Sequence, residues 1–203
     1  MNQKIVGILL FNEVEVLDFA GPFEVFSVTQ QASNDERPFK VITISQDGEL
    51  IKARNGLQVK PDFSFEQHPE LDILIVPGGY GAREIEVHNK TLHQWIQKQD
   101  QTTMHTMSVC TGAFLLAKAR LLEGLSVTTH FSSLDKLETA FPSLTVKRNT
   151  KFVDQGHILT SAGISAGIEL SLYLVGKLLG TAIAKETAQQ MEYTIQSKDV
   201  LAD

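Results

Sequence analysis

The chain contains one cysteine, and its surroundings are those of a nucleophile. Thr103 to Val109 has the apolar character of a short buried strand and Gly112 to Ala119 opens an apolar helix, so Cys110 falls at the junction. A sharp strand-to-helix turn pushes a side chain outward and faces it with the free N–H groups of the helix start. Ser108-Val-Cys-Thr-Gly112 has small residues two positions to either side of the cysteine, where bulky ones would collide. The helix dipole is expected to lower the thiol pKa, and the thiolate is the reactive form. A buried, inert cysteine at a strand end is the competing reading.

Three further groups bear chemistry. Asp18 lies in an apolar tract, Val16-Leu-Asp-Phe-Ala20, where a carboxylate needs a reason to be. It either caps a helix or sits beside Cys110 with its pKa raised, holding a proton to donate. Gly78, Gly79 and Gly81 let backbone approach a ligand, so their N–H groups, with that of Thr111, can line an oxyanion hole; an ordinary loop is the alternative. The loop lacks the Gly-Lys-Ser/Thr ending of a phosphate loop. His130 follows a short strand and either borders a crevice or is structural. None of the six histidines has metal-ligand spacing on a helix face, so no metal is expected.

The elements that must position these residues alternate. Lys4–Leu10, Phe39–Ser45 and Leu71–Val76 read as strands, and the nearly continuous apolar runs suit parallel strands covered on both faces. Helices are expected over 17–29, where Pro22 kinks the helix or lies near its start, from Asn89 or Thr91 to Gln101, after Ser132 or Ser133, over 165–179 and over 181–195. Asp47-Gly48 predicts a hairpin from the second strand into Glu49–Lys52. Short strands at 126–129, 145–147, 151–154 and 157–160 complete the pattern. The alternation implies a mostly parallel sheet with helices on both faces, and the crevice of such a sheet lies beyond the carboxyl ends of its strands. The loops at 12–18, 77–81 and 110 are expected to converge there.

At 203 residues the chain is long enough for one domain spanning 1–203. A net charge of −6 without a lysine or arginine stripe argues against nucleic acid as a partner. The run from Ile5 to Phe11 is shorter than a bilayer span and leads into Glu13, Glu15 and Asp18, so a cytoplasmic protein with no membrane partner is expected. One cysteine forms no intramolecular disulfide.

Leu17-Asp-Phe-Ala-Gly-Pro-Phe-Glu24, Val76-Pro-Gly-Gly-Tyr80, Ser108-Val-Cys-Thr-Gly112, Thr128-Thr-His-Phe131 and Thr160-Ser-Ala-Gly-Ile-Ser-Ala-Gly167 occur together and in order. As a set they resemble the ThiJ/PfpI superfamily of glutamine-amidotransferase-like α/β proteins, in the branch of isonitrile hydratase and the sensing domains of AraC-type regulators. The resemblance implies a flavodoxin-like three-layer sandwich, a homodimer, and a site built on Cys110 and Asp18. It implies Gly79 and Thr111 as oxyanion-type donors, with Gly78, His130 and Gly163 around the substrate. Peptidase-like members carry histidine directly after the cysteine, whereas this chain has Thr111, so a peptidase is not expected. The expectation is cofactor-free hydration of a small unsaturated carbon, isonitrile to N-substituted formamide. Glyoxalase-like aldehyde processing and a non-catalytic redox or ligand sensor are the alternatives.

Overall fold

Lys4–Leu9 is strand-forming because its β-branched and aliphatic residues pack well on a pleated surface with both faces covered. A computed structural model describes residues 3–31 and 37–201. In chain order the first elements are β1 (Lys4–Leu9), α1 (Val16–Val28), β2 (Phe39–Ser45), β3 (Ile51–Lys52), β4 (Gln58–Val59), β5 (Phe63–Ser64) and β6 (Ile73–Val76). Next come α2 (Lys90–Asp100), β7 (His105–Ser108), α3 (Gly112–Lys118), β8 (Ser126–Val127), α4 (Leu134–Ala140) and β9 (Thr145–Val146). β10 (Phe152–Gln155), β11 (Ile158–Ser161), α5 (Ala166–Leu179) and α6 (Thr181–Gln190) follow.

The main sheet has seven strands in the order β10-β11-β7-β6-β1-β2-β5. All its pairings are parallel except β10 with β11, which turn back on each other at Gly156. The flavodoxin-like sandwich is therefore present: α1, α5 and α6 pack together as one layer and α2 with α3 as the other. The chain leaves β1 toward β2 on one side and later returns to β6 on the other. That reversal opens a crevice beyond the carboxyl ends of β1 and β6, the place where open α/β sheets bind ligands. Among the described residues, no helix is long and apolar enough to cross a membrane.

Local chemistry explains most boundaries. Asn89 caps α2, its Oδ1 accepting from Leu92 N at 3.2 Å, and Gly180 (φ 99°) ends α5 and starts α6. Pro22 lies inside α1, so the carbonyl of Asp18 lacks its usual helical donor; Gly21 and Pro22 lie against Ile168 and Gly167 of α5.

Two expectations need correction. The hairpin predicted across Asp47-Gly48 does not form, because both edges of β2 are taken by parallel neighbours, β1 and β5. Instead β3 pairs antiparallel with β4 around left-handed Asn55 (φ 63°) and Gly56 (φ 96°). The final helix stops at Gln190 rather than Ile195. There the fully buried carboxylate of Glu169 on α5 accepts from Tyr193 Oη (2.9 Å), Gln196 N (2.9 Å) and Ser197 N (3.2 Å), drawing the chain off the helical path.

Candidate active site

The loops after β1, β6, β7 and β11 meet at Cys110. Val109 N donates to Val76 O (3.1 Å), locking the end of β7 to β6, and Cys110 N donates to Ala162 O (3.1 Å), locking it to the loop after β11. Between these ties Cys110 is left-handed (φ 57°), a strained conformation for a residue with a Cβ and the mark of a nucleophile elbow. The small neighbours are required: a Cβ on Gly112 would collide with Val76 O, and one on Gly78 with the backbone of Thr111.

Asp18 is the third residue of α1, fully buried, and does not cap the helix. Its Oδ2 accepts from Gly78 N at 3.0 Å, and Oδ1 has no hydrogen-bond partner among the described residues. Burial pushes the carboxyl up to about 7, opposed first by donation from the N–H of Gly78 and then by the nearby Cys110 thiol and Ile164 N–H, while the charge of Glu15 adds to the rise. The thiol moves the other way from the sequence expectation. Burial first, and then the adjacent Asp18 charge, push it up to about 12, against the N–H groups of Thr111 and Ile164. α3 begins beyond the elbow and is only seven residues long, so its dipole does not offset burial beside a carboxylate.

The glycine loop holds the machinery together. The N–H of Gly78 is engaged by Asp18, and that of Gly79 donates to Thr111 Oγ1 at 2.9 Å, while Thr111 Oγ1 lies 3.2 Å from Gly79 O. Neither amide is left for an oxyanion, contrary to the sequence expectation; their bonds fix Asp18 and Thr111. Gly79 (φ 118°) has no room for a Cβ, and Val14 bridges to it as an isolated antiparallel pair. Sulfur-facing donors come from the N–H groups of Thr111 and Ile164. Ile164 was not foreseen: a β-branched residue at φ 53° has no sequence signature, although it lies inside the quoted Thr160–Gly167 stretch.

His130 and Gly163 lie beside this centre without entering the acid–thiol pair. Any Cβ on Gly163 would strike the His130 ring, so the glycine makes room for it. His130 Nδ1 lies 2.8 Å from Ser132 Oγ and accepts from Ser132 N at 3.3 Å; burial, then the charge of Arg83, lower its pKa, against the charge of Glu15. Among the described residues, no group of three or more His, Cys, Asp or Glu side chains is placed to hold a metal ion.

The sequence profile of the DJ-1/PfpI family matches residues 4–177. The chain belongs to this family. It is 35% identical over 188 residues to an isonitrile hydratase of Pseudomonas putida, covering 93% of this chain and 78% of that protein. It is 28% identical over 192 residues to the transcriptional regulator GbdR of Pseudomonas aeruginosa, covering 95% of this chain but 51% of the regulator. Among solved structures, a ThiJ/PfpI protein of Pseudomonas syringae superposes with a TM-score of 0.85 at 23% identity, covering 97% of this chain and 78% of that one. Drosophila melanogaster DJ-1beta gives 0.82 at 21% identity, covering 95% and 100%. Membership of this DJ-1/PfpI family and the buried acid beside the elbow thiol support cysteine-dependent chemistry on a small molecule.

Proposed function

We propose that the chain hydrates an isonitrile to an N-substituted formamide. The observation that carries this reading is a buried carboxyl, with its pKa raised to about 7, set against the neutral Cys110 thiol in the elbow. A carboxyl and a thiol sharing one proton supply what an isonitrile carbon needs, a nucleophile and a proton at the same atom. Ionised Asp18 takes the Sγ proton; the sulfur bonds to the isonitrile carbon while Asp18 returns the proton to that carbon. The product is a thioimidate, R–N=CH–S–Cys110, with the N–H groups of Thr111 and Ile164 stabilising charge on sulfur during attack and departure. Water adds to the same carbon, the nitrogen gains a proton, the C–S bond breaks, and R–NH–CHO leaves with the thiol restored. The 35% identity to an isonitrile hydratase supports the same reading. Incubation with an alkyl isonitrile is expected to give the N-alkylformamide, read by the loss of the N≡C stretch in the infrared and by proton NMR. Lactate from methylglyoxal, with isonitrile untouched, would replace hydration by the glyoxalase-like reading.

A sensing role has its own support: the likeness to GbdR, and a thiol held up at about 12, where little of it is thiolate at neutral pH. Saturable ligand binding without turnover of either substrate would select it. We also infer a homodimer in the cytoplasm. Leu17 and Phe23 on α1 and Ile164 at the elbow are each more than a third exposed, apolar side chains that a second copy would cover. Sedimentation equilibrium at micromolar chain is expected to give twice the chain mass; a monomer there rejects it.

A further inference from the structure

Tyr80 follows the glycines that hold Asp18 and Thr111, and its exposed ring lies on the rim of the crevice. Two guanidiniums flank it, Arg54 at 5.4 Å and Arg83 at 5.9 Å from the ring centre. They are not equivalent. Arg54 is neutralised by Glu13, Nη1 to Oε2 at 2.7 Å, with Glu15 acting on it as well. Among the described residues Arg83 pairs with no carboxylate but Glu84, Nε to Oε1 at 3.6 Å, and that carboxylate also takes Lys136 at 3.2 Å. One carboxylate between two cations leaves positive charge at Arg83, and its terminal nitrogens have no ion-pair partner among the described residues.

His130 continues this edge inward with a hydrogen-bond donor rather than a charge. Because Ser132 N–H donates to Nδ1, the neutral ring carries its proton on Nε2. The ring lies over Gly163, and the next residue, Ile164, turns its N–H toward Cys110. Arg83 acts electrostatically on His130, His130 packs on Gly163, and Ile164 beside it faces Cys110, so these residues place a cation and then hydrogen-bond donors between the surface and the sulfur. A guanidinium fork suits a planar carboxylate.

We propose that Arg83, with the Nε2–H of His130, holds a carboxylate on the substrate, so that the chain acts on small acids carrying the reactive carbon. The choice of isonitrile acids rests on the hydration reading; the anion subsite does not, and the single cysteine allows it to be tested without turnover. Alkylation of Cys110 is followed at pH 9 and low salt with iodoacetate and 3-iodopropionate, each against its amide, in the wild type and in Arg83→Gln. The acid-to-amide rate ratio is expected to fall roughly tenfold for at least one acid in Arg83→Gln, the loss of one charge-assisted contact, and to be partly restored in Arg83→Lys. Equal ratios in wild type and Arg83→Gln for both acids would overturn the subsite. Kinetics with isocyanoacetate and its methyl ester provide the second arm: Arg83→Gln is expected to raise KM for the acid about tenfold more than for the ester. A ratio that depends on Arg83 with no isonitrile turned over leaves the subsite standing and removes the hydration reading. Turnover of acid and ester with the same KM response to Arg83→Gln removes the subsite and leaves hydration.

Discussion

Cys110→Ala is expected to lower isonitrile turnover by about 10⁴-fold or more, the scale on which removal of a nucleophile acts when nothing replaces it. No second cysteine exists to substitute, and among the described residues no other nucleophile shares the Asp18 carboxylate. The fold is expected to survive. Deleting one sulfur from a buried elbow costs about 1 kcal/mol, and the ties that shape the turn, Val109 N to Val76 O and Cys110 N to Ala162 O, are backbone bonds that alanine keeps. Unchanged far-ultraviolet circular dichroism together with lost turnover is the expected pair of results. A variant that still hydrates alkyl isonitriles at an appreciable fraction of the wild-type rate would exclude the thioimidate route.

Asp18→Asn moves three quantities, not all in one direction. Turnover is expected to fall by about 10²- to 10⁴-fold because the group that moves the proton from sulfur to carbon is gone. In the wild type, turnover should rise with pH through about 7 as Asp18 ionises, and the variant should lose that limb. Alkylation should become faster. The Asp18 charge is the second cause, after burial, of the raised thiol pKa, so removing it lowers that pKa and puts more thiolate in solution at pH 8 to 9. Stability should rise as well, at high pH only. Below pH 4 both folded and unfolded chains hold the Asp18 proton and the substitution changes little. Between about 4 and 7 the unfolded chain loses that proton while the folded one keeps it, so wild-type stability falls with rising pH. By pH 8 the accumulated cost is roughly 4 kcal/mol, which the asparagine avoids. Thermal melts of both proteins at pH 4 and pH 8 read this directly. A variant less stable than the wild type at pH 8 would show that Asp18 is not held as a strained acid.

The positions of Cys110 and Asp18 were readable because each breaks a local rule. A carboxylate in Val16–Ala20 and a cysteine between small residues at a strand-to-helix junction are expensive placements, and the fold brings both to one point. The parallel sheet was readable for the opposite reason, since Ile73–Val76 is buried at every position and shows as an unbroken apolar run. What stayed hidden depends on contacts distant in sequence. Asp47-Gly48 has hairpin chemistry, yet β2 had no free edge to give. The N–H groups of Gly78 and Gly79 looked available until Asp18 and Thr111 were seen to occupy them. The direction of the thiol shift depended on burial and on a carboxylate 92 positions earlier in the chain, which outweigh a short helix. Ile164 offers only a backbone amide, and a backbone amide leaves no trace in residue type.

The tie from Cys110 N to Ala162 O also bears on the order in which the molecule comes together. Of the two neighbours of β7, β6 precedes it in the chain, whereas β11 and the Ile164 amide lie about fifty residues further along. In the unfolded chain the sulfur is an ordinary exposed thiol with a pKa near 8.5, open to oxidants and electrophiles. Protection of the cysteine is therefore expected to require β11 and its loop in place, and following Cys110 alkylation during refolding checks this.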